Sequence, residues 1–376
     1  MPAPAPAPAP AADACIVAGQ SGREVDTLDV LFDPEPGTSL PPVTGSDWFS
    51  WAHTYETLVR LDCTGVPRPA LAASWRPGDD GRSWIVETRS ASSLPSEAVT
   101  QAVDQLPARL AQAGFTSVVR DGDHQLHVSF DHPSDSVPAI LADLSLAMRR
   151  SALPLAGAPS RPVLRALPRP SDLRDAIDDG MPIVVTTDPV TLDYARRRPD
   201  REVVPLPWSA VYVLVSPHPF PAAADDRFRA ALAQDVVRAE ARAAGAEYWW
   251  SNCGSGPGAA EARDSLLAYP ARDPSAASLA ARLVALGVAG PRGAVLPMEP
   301  GEIPHRLGRG DLAGAVVALP VELGGPCPRS IPAGYVVTPL VETRAHLVGR
   351  RDGPAIRRDA FGVLRVDGPS PPQPAP

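Results

Sequence analysis

The side chains best suited to holding a small molecule are Trp48, Trp51, Tyr55, Trp208, Tyr212, Trp249 and Trp250, with Asp188, Asn252 and Arg344 as polar partners. Aromatic faces and a few polar groups let a cleft fix a solute without breaking a bond in it. Trp48 and Trp51 stand three apart, so they share one face if their segment is helical. Each aromatic could equally pack in a core, although the adjacent Trp249 and Trp250 point different ways and are harder to bury together. Asp188, in Thr186-Thr187-Asp188-Pro189, sits at a strand-to-helix turn, where open α/β sheets bind ligands. The same position suits a plain helix cap. Arg344 could clamp a carboxylate with two parallel bonds, or pair internally with Glu342.

Several chemistries are excluded. The chain has no lysine, so it has no Walker A lysine, no Schiff-base lysine and no lysine general base. No Gly-x-Ser-x-Gly elbow is present, and Gly254, Gly256 and Gly258 do not follow a strand in the dinucleotide pattern. His124, His127 and His132 read as a hairpin surface, because strand spacing puts them on opposite faces. Cys15, Cys63, Cys253 and Cys327 are too far apart in sequence for metal-site spacing. No cofactor is implied. A net charge of −8 with scattered arginines argues against a nucleic-acid surface.

Short strands alternate with helices along the chain. Ala14 to Gly19 and Thr27 to Leu31 read as strands, and Asp47 to Trp51 leads into a helix that carries Tyr55. Pro95 to Gly114 and Val137 to Leu146 have helical periodicity, with a hairpin between them at Phe115 to Arg120 and Gln125 to Phe130. Leu173 to Asp178 is a helix, Pro182 to Thr187 a buried strand, and Asp188-Pro189 starts the next helix. Glu202 to Leu206 and Ala210 to Ser216 are strands, and Asp226 to Ala244 is one long helix. Tyr335 to Arg350 and Phe361 to Val366 close the chain as strands. The alternation is that of a mixed α/β fold.

The wording of Tyr55 to Trp84, "YETLVRLD", "PALAASW" and "DDGRSW", closely resembles the opening of bacterial extracellular solute-binding proteins of family 5. Those are oligopeptide-, dipeptide- and nickel-binding receptors of ABC importers. The resemblance continues to about Met148 and returns in "DDRFRAALAQDVVRAEA" and "ARDPSAASLAARLVALG". It implies a type II periplasmic-binding-protein-like fold, with two major lobes around a ligand cleft and a small side lobe. The expected division puts the main lobe in 14–47, 154–240 and 335–368, the side lobe in 48–153, and a shortened second clasping lobe in 241–334. Ala/Pro-rich and Pro-rich arms at 1–13 and 369–376 have no core to join.

The implied function is capture of a peptide or another small organic solute by lobe closure, and delivery to ABC permease subunits. The receptor would be a monomer at the periplasm or cell surface and would make or break no bond. No apolar stretch follows a basic start, so no secretory signal is read in the chain as given. An oxidising compartment favours disulfides. The expected pair is Cys253 with Cys327, with Cys15–Cys63 as a second. A short Pro-rich bridge at Ser151 to Val163 replaces a strand-rich segment of the family, and two departures, the shortened clasping lobe and the missing leader, support an alternative. That alternative is a degenerate member acting as a regulatory or scaffold protein.

Overall fold

In a computed structural model, the described residues are 14–20, 25–33, 45–88, 114–133, 137–149, 161–220, 225–244, 266–320 and 334–366, apart from short gaps within those spans. The three largest of their six sheets organise them. The first has five strands in the order Val163–Ala166, Thr27–Asp33, Ile183–Thr186, His346–Arg350 and Arg201–Pro205. Its first three strands run parallel, and His346–Arg350 is antiparallel to both neighbours. The second has six, Ala241–Ala243, Val336–Thr343, Ala210–Ser216, Gly314–Pro320, Leu266–Pro270 and Ala294–Met298. The third is an antiparallel sheet of Ala72–Pro77, Ser83–Thr88, Gln125–Phe130 and Phe115–Asp121.

Local sequence explains the central elements. Ile183–Thr186 is an uninterrupted apolar run ending in Thr, and every residue in it is buried. Successive side chains of a strand point to opposite faces. Ile183 and Val185 therefore join Phe32, Phe49 and Leu347 on one side, while Val184 joins Leu173, Ile177 and Leu192 of the helices on the other. Those helices, Leu173–Asp178 and Pro189–Arg196, start at Asp172 and Asp188, whose carboxylates accept from free first-turn amides. Helix Pro274–Ala285 repeats the pattern with Asp273 ahead of Pro274, and lays Ala276, Leu279, Ala280 and Leu283 on the second sheet.

Helix Gly45–Thr54 covers the other face of the first sheet with Phe49, which is fully buried against Phe32 at a ring separation of 6.4 Å. Burial of such a side chain contributes about 1.5–3 kcal/mol. The far end of the helix is tied to the C-terminal strand. His53 Nδ1 lies 2.8 Å from the Phe49 carbonyl, and its Nε2 accepts the amide of Val366 at 3.1 Å.

Five expectations change. The helix expected to carry Tyr55 ends at Thr54, with Tyr55–Glu56 a strand, and the closing strand expected over Phe361 to Val366 is confined to Leu364–Val366 behind a turn. The helix expected over Asp226 to Ala244 is seen over Asp226–Val236 among the described residues, and Ala241–Ala243 at its expected end is a strand paired with Val341 to Thr343. Sheet pairing outweighs the helical propensity of this Ala- and Arg-rich stretch, because propensity is a weak prior against tertiary contacts. Val137 to Leu146 shortens to a single turn, Val137–Ile140. The expected closing stretch of the main lobe, Tyr335 to Arg350, is divided: Val336–Thr343 lies in the six-stranded sheet and His346–Arg350 in the five-stranded one. The helix expected over Pro95 to Gly114 lies largely outside the described residues, as do both terminal arms.

Cys15 and Cys63 form a disulfide across 48 positions of sequence. It ties the strand Ile16–Ala18, which pairs with Ile356–Arg358, to the turn between Val59–Leu61 and Pro67–Pro69. This is the second of the two expected pairs. Cys253 and Cys327, the first, lie outside the described residues.

Candidate functional site

The chain passes between the five- and six-stranded sheets through 206–209 and again through 344–345. The two crossings run side by side, with the Leu206 amide donating to the Ala345 carbonyl at 3.0 Å. Helix Gly45–Thr54 begins directly against them. A Cβ at Gly45 would stand 2.6 Å from the Ala345 Cβ, so only glycine lets the helix come this near.

A cavity of about 400 Å³ opens at these crossings. Trp208 and Arg344 reach it from the crossings themselves, and Trp48 from the first turns of the helix. The guanidinium of Arg344 lies 4.6 Å from the Trp208 ring centre and that of Arg242 lies 4.4 Å away, both within cation–π range. Arg242 stands opposite Glu342 in the strand register and pairs with its buried carboxylate. The remaining wall comes from Arg358, at the end of strand Ile356–Arg358, and from the turn between it and Leu364–Val366, which supplies Phe361 and Gly362.

Asp359 builds that turn. Its Oδ1 accepts the amides of Phe361 and Val363 at 2.9 Å each, and its Oδ2 pairs with the buried Arg365. Gly362 has φ +80°, and a Cβ there would meet Pro207 at 3.5 Å, so the turn rests on the crossing. The wall therefore combines apolar surface with three guanidinium groups, and among the described residues no carboxylate lines it. Such a site can bind and orient a solute.

The structure brings Trp48, Trp208 and Arg344 together in this cavity. Trp51 and Tyr55 stand behind Trp48: Trp51 is buried, edge-on to Trp48 at 5.5 Å and stacked on Tyr55 at 5.8 Å. They support the platform and do not line the cavity. Asp188 is a helix cap, its carboxylate taken up by the amides of Val190 and Thr191 and the Thr191 hydroxyl. Tyr212 is core: it packs with Leu214 and Leu279, and its hydroxyl donates to Asp273 at 3.0 Å. Burial, reinforced by the Asp273 charge, raises the pKa of that phenol. Trp249, Trp250 and Asn252 lie outside the described residues.

Sequence reasoning missed Arg242, Arg358 and Phe361. Arg242 sat inside a stretch read as helix, where its strand partner Glu342 is invisible. Arg358 and Phe361 carried one usable signal, the turn residues Asp359 and Gly362.

No protein-family model and no curated protein sequence matches the chain. Solved structures do. Periplasmic binding protein DppA from Helicobacter pylori, in complex with the peptide STSA, aligns over 92% of this chain and 99% of its own at 11% identity and a TM-score of 0.54. NikZ from Campylobacter jejuni, in complex with Ni(L-His), aligns over 90% and 97% at 12% identity and a TM-score of 0.54. MoaA from A. tumefaciens R10, in complex with mannopinic acid, aligns over 86% and 94% at 15% identity and a TM-score of 0.53. The chain has the fold of the type II periplasmic binding proteins. The family 5 resemblance of its first 148 residues agrees with that fold. Among the described residues no helix is long and apolar enough to cross a membrane.

Proposed function

We propose that this chain is the extracytoplasmic solute-binding subunit of an ABC importer, and that it captures a peptide or another small organic solute. The observation that carries the proposal is the cavity at the two crossings, walled by Trp48, Trp208 and Arg344 together with the Asp359 turn. Its volume of about 400 Å³ falls within the range of small-molecule sites. Closure of the two lobes about 206–209 and 344–345 would bring the faces of the five- and six-stranded sheets onto the solute, as a few connecting residues absorb a hinge motion. No bond is made or broken; the closed receptor hands its cargo to the permease. DppA, NikZ and MoaA hold a peptide, a nickel–histidine complex and mannopinic acid respectively, so the same fold serves very different solutes.

One observation favours a second reading. Two of the protein's own guanidinium groups already rest on the Trp208 ring, as they would in a degenerate member that acts as a scaffold or regulator. Thermal unfolding against a library of peptides, sugars, nickel chelates and opines separates the two readings. A solute that binds only the folded chain raises its stability by RT ln(1 + [L]/Kd), about 2.7 kcal/mol at a hundredfold excess over Kd. The receptor reading expects such a shift, weakened at least tenfold by Trp208→Leu. A folded sample that shows no shift across the library refutes it in favour of the scaffold.

A further inference from the structure

Arg358 is the odd member of the cavity wall. Arg242 is neutralised by Glu342, and Arg344 rests on Trp208. Among the described residues no carboxylate pairs with the half-buried guanidinium of Arg358. The nearest acid along the chain, Asp359, is buried and taken up by the turn and by Arg365. Among the described residues the cavity wall thus carries guanidinium groups and no carboxylate, in a chain whose net charge is −8. A partly desolvated guanidinium without a counter-charge is costly, and an oxyanion that meets it through two parallel bonds restores the loss.

Position supports the same conclusion. Arg358 lies at the end of its strand, paired with Leu364, and its backbone amide donates to the Cys15 carbonyl at 3.0 Å. The main chain that carries it is therefore held on both sides, by a strand and by the disulfide-anchored segment. Phe361, 36% exposed, and Trp48 supply apolar surface in the same wall. A group that enters here meets a fixed cation at one place and apolar surface at another.

Building on the solute-binding reading, we propose that Arg358 is the anion anchor of the cavity. Its solute is a small organic oxyanion, with a carboxylate or phosphate headgroup on Arg358 and an apolar body against Trp48 and Phe361.

The test is calorimetric titration of the full chain with 3-phenylpropionate, phenyl phosphate and the neutral 3-phenylpropionamide, in wild type, Arg358→Gln and Arg358→Lys. At least one of the two acids is expected to bind at least tenfold more tightly than the amide. Arg358→Gln should erase that preference, and Arg358→Lys should keep part of it, since lysine retains the charge and loses the planar fork. The two acids distinguish carboxylate from phosphate as the headgroup. An amide that binds as well as the acids overturns the proposal, as does an acid whose affinity is unchanged in Arg358→Gln. A variant that fails to show wild-type near-ultraviolet dichroism is set aside, and Arg358→Lys then decides by its loss of affinity. If only neutral members of the broader library bind, the anion anchor falls and solute binding stands. If nothing binds to folded protein, both fall.

Discussion

Gly45→Ala tests whether the helix and the two crossings form one tight unit. The added Cβ would stand 2.6 Å from the Ala345 Cβ and 3.2 Å from the Leu206 Cδ1. Carbon atoms rest at about 3.5–4.0 Å, so the first contact is short by about 1 Å. The Ala345 Cβ is fixed to the backbone and cannot rotate away. Overpacking of this kind costs about 1–3 kcal/mol, while loss of glycine freedom in the unfolded chain returns about 0.4–1 kcal/mol. The expected net loss is about 1–2 kcal/mol, read as a lower midpoint in urea unfolding followed by tryptophan fluorescence. Ala345→Gly removes the obstructing atom. Alone it should destabilise, because it deletes a buried methyl worth about 0.8 kcal/mol and frees the backbone. Combined with Gly45→Ala it should recover most of the loss, a coupling of about 1–2 kcal/mol. A Gly45→Ala protein as stable as wild type refutes the reasoning, as does a coupling inside the additivity error of about 0.5 kcal/mol.

Two further outcomes follow from the structure. Replacing both Cys15 and Cys63 by Ser should lower stability by about 2–4 kcal/mol, since the bond closes a loop of 48 positions; dithiothreitol should reproduce the effect, and equal midpoints with and without it would contradict this. Asp33 has its pKa raised, first by burial, with the Asp188 charge adding to the effect and the Arg169 charge opposing it. A raised carboxyl contributes stability that is complete below its unfolded value of about 4 and is lost as pH rises through the folded value. Asp33→Asn should therefore raise the melting temperature at pH 7, and the gain should shrink towards zero on acidification below pH 4 or so. A variant less stable than wild type at pH 7 would show instead that the 3.2 Å contact with Arg169 outweighs desolvation.

Much of the fold was readable from the chain because its signals act over a few residues. The Asp188-Pro189 and Asp273-Pro274 starts specify their helices through caps that reach two or three positions. Ile183–Thr186 announces a strand buried on both faces by its apolar run. The same local rules marked Trp48, Trp208 and Arg344 as side chains able to hold a ligand. They could not say that these three share a cavity while Tyr212 is sealed in a core and Asp188 is taken up by its helix. That was decided by pairings between distant segments: Arg242 with Glu342 across 100 positions, and His53 with Val366 across 313. Such contacts bring Arg358 and Phe361 beside Trp48, and they override the helical propensity around Arg242. A cavity is the space left where separately stable elements meet, so it depends on every long-range contact at once, whereas a cap or a buried strand depends on its own few residues.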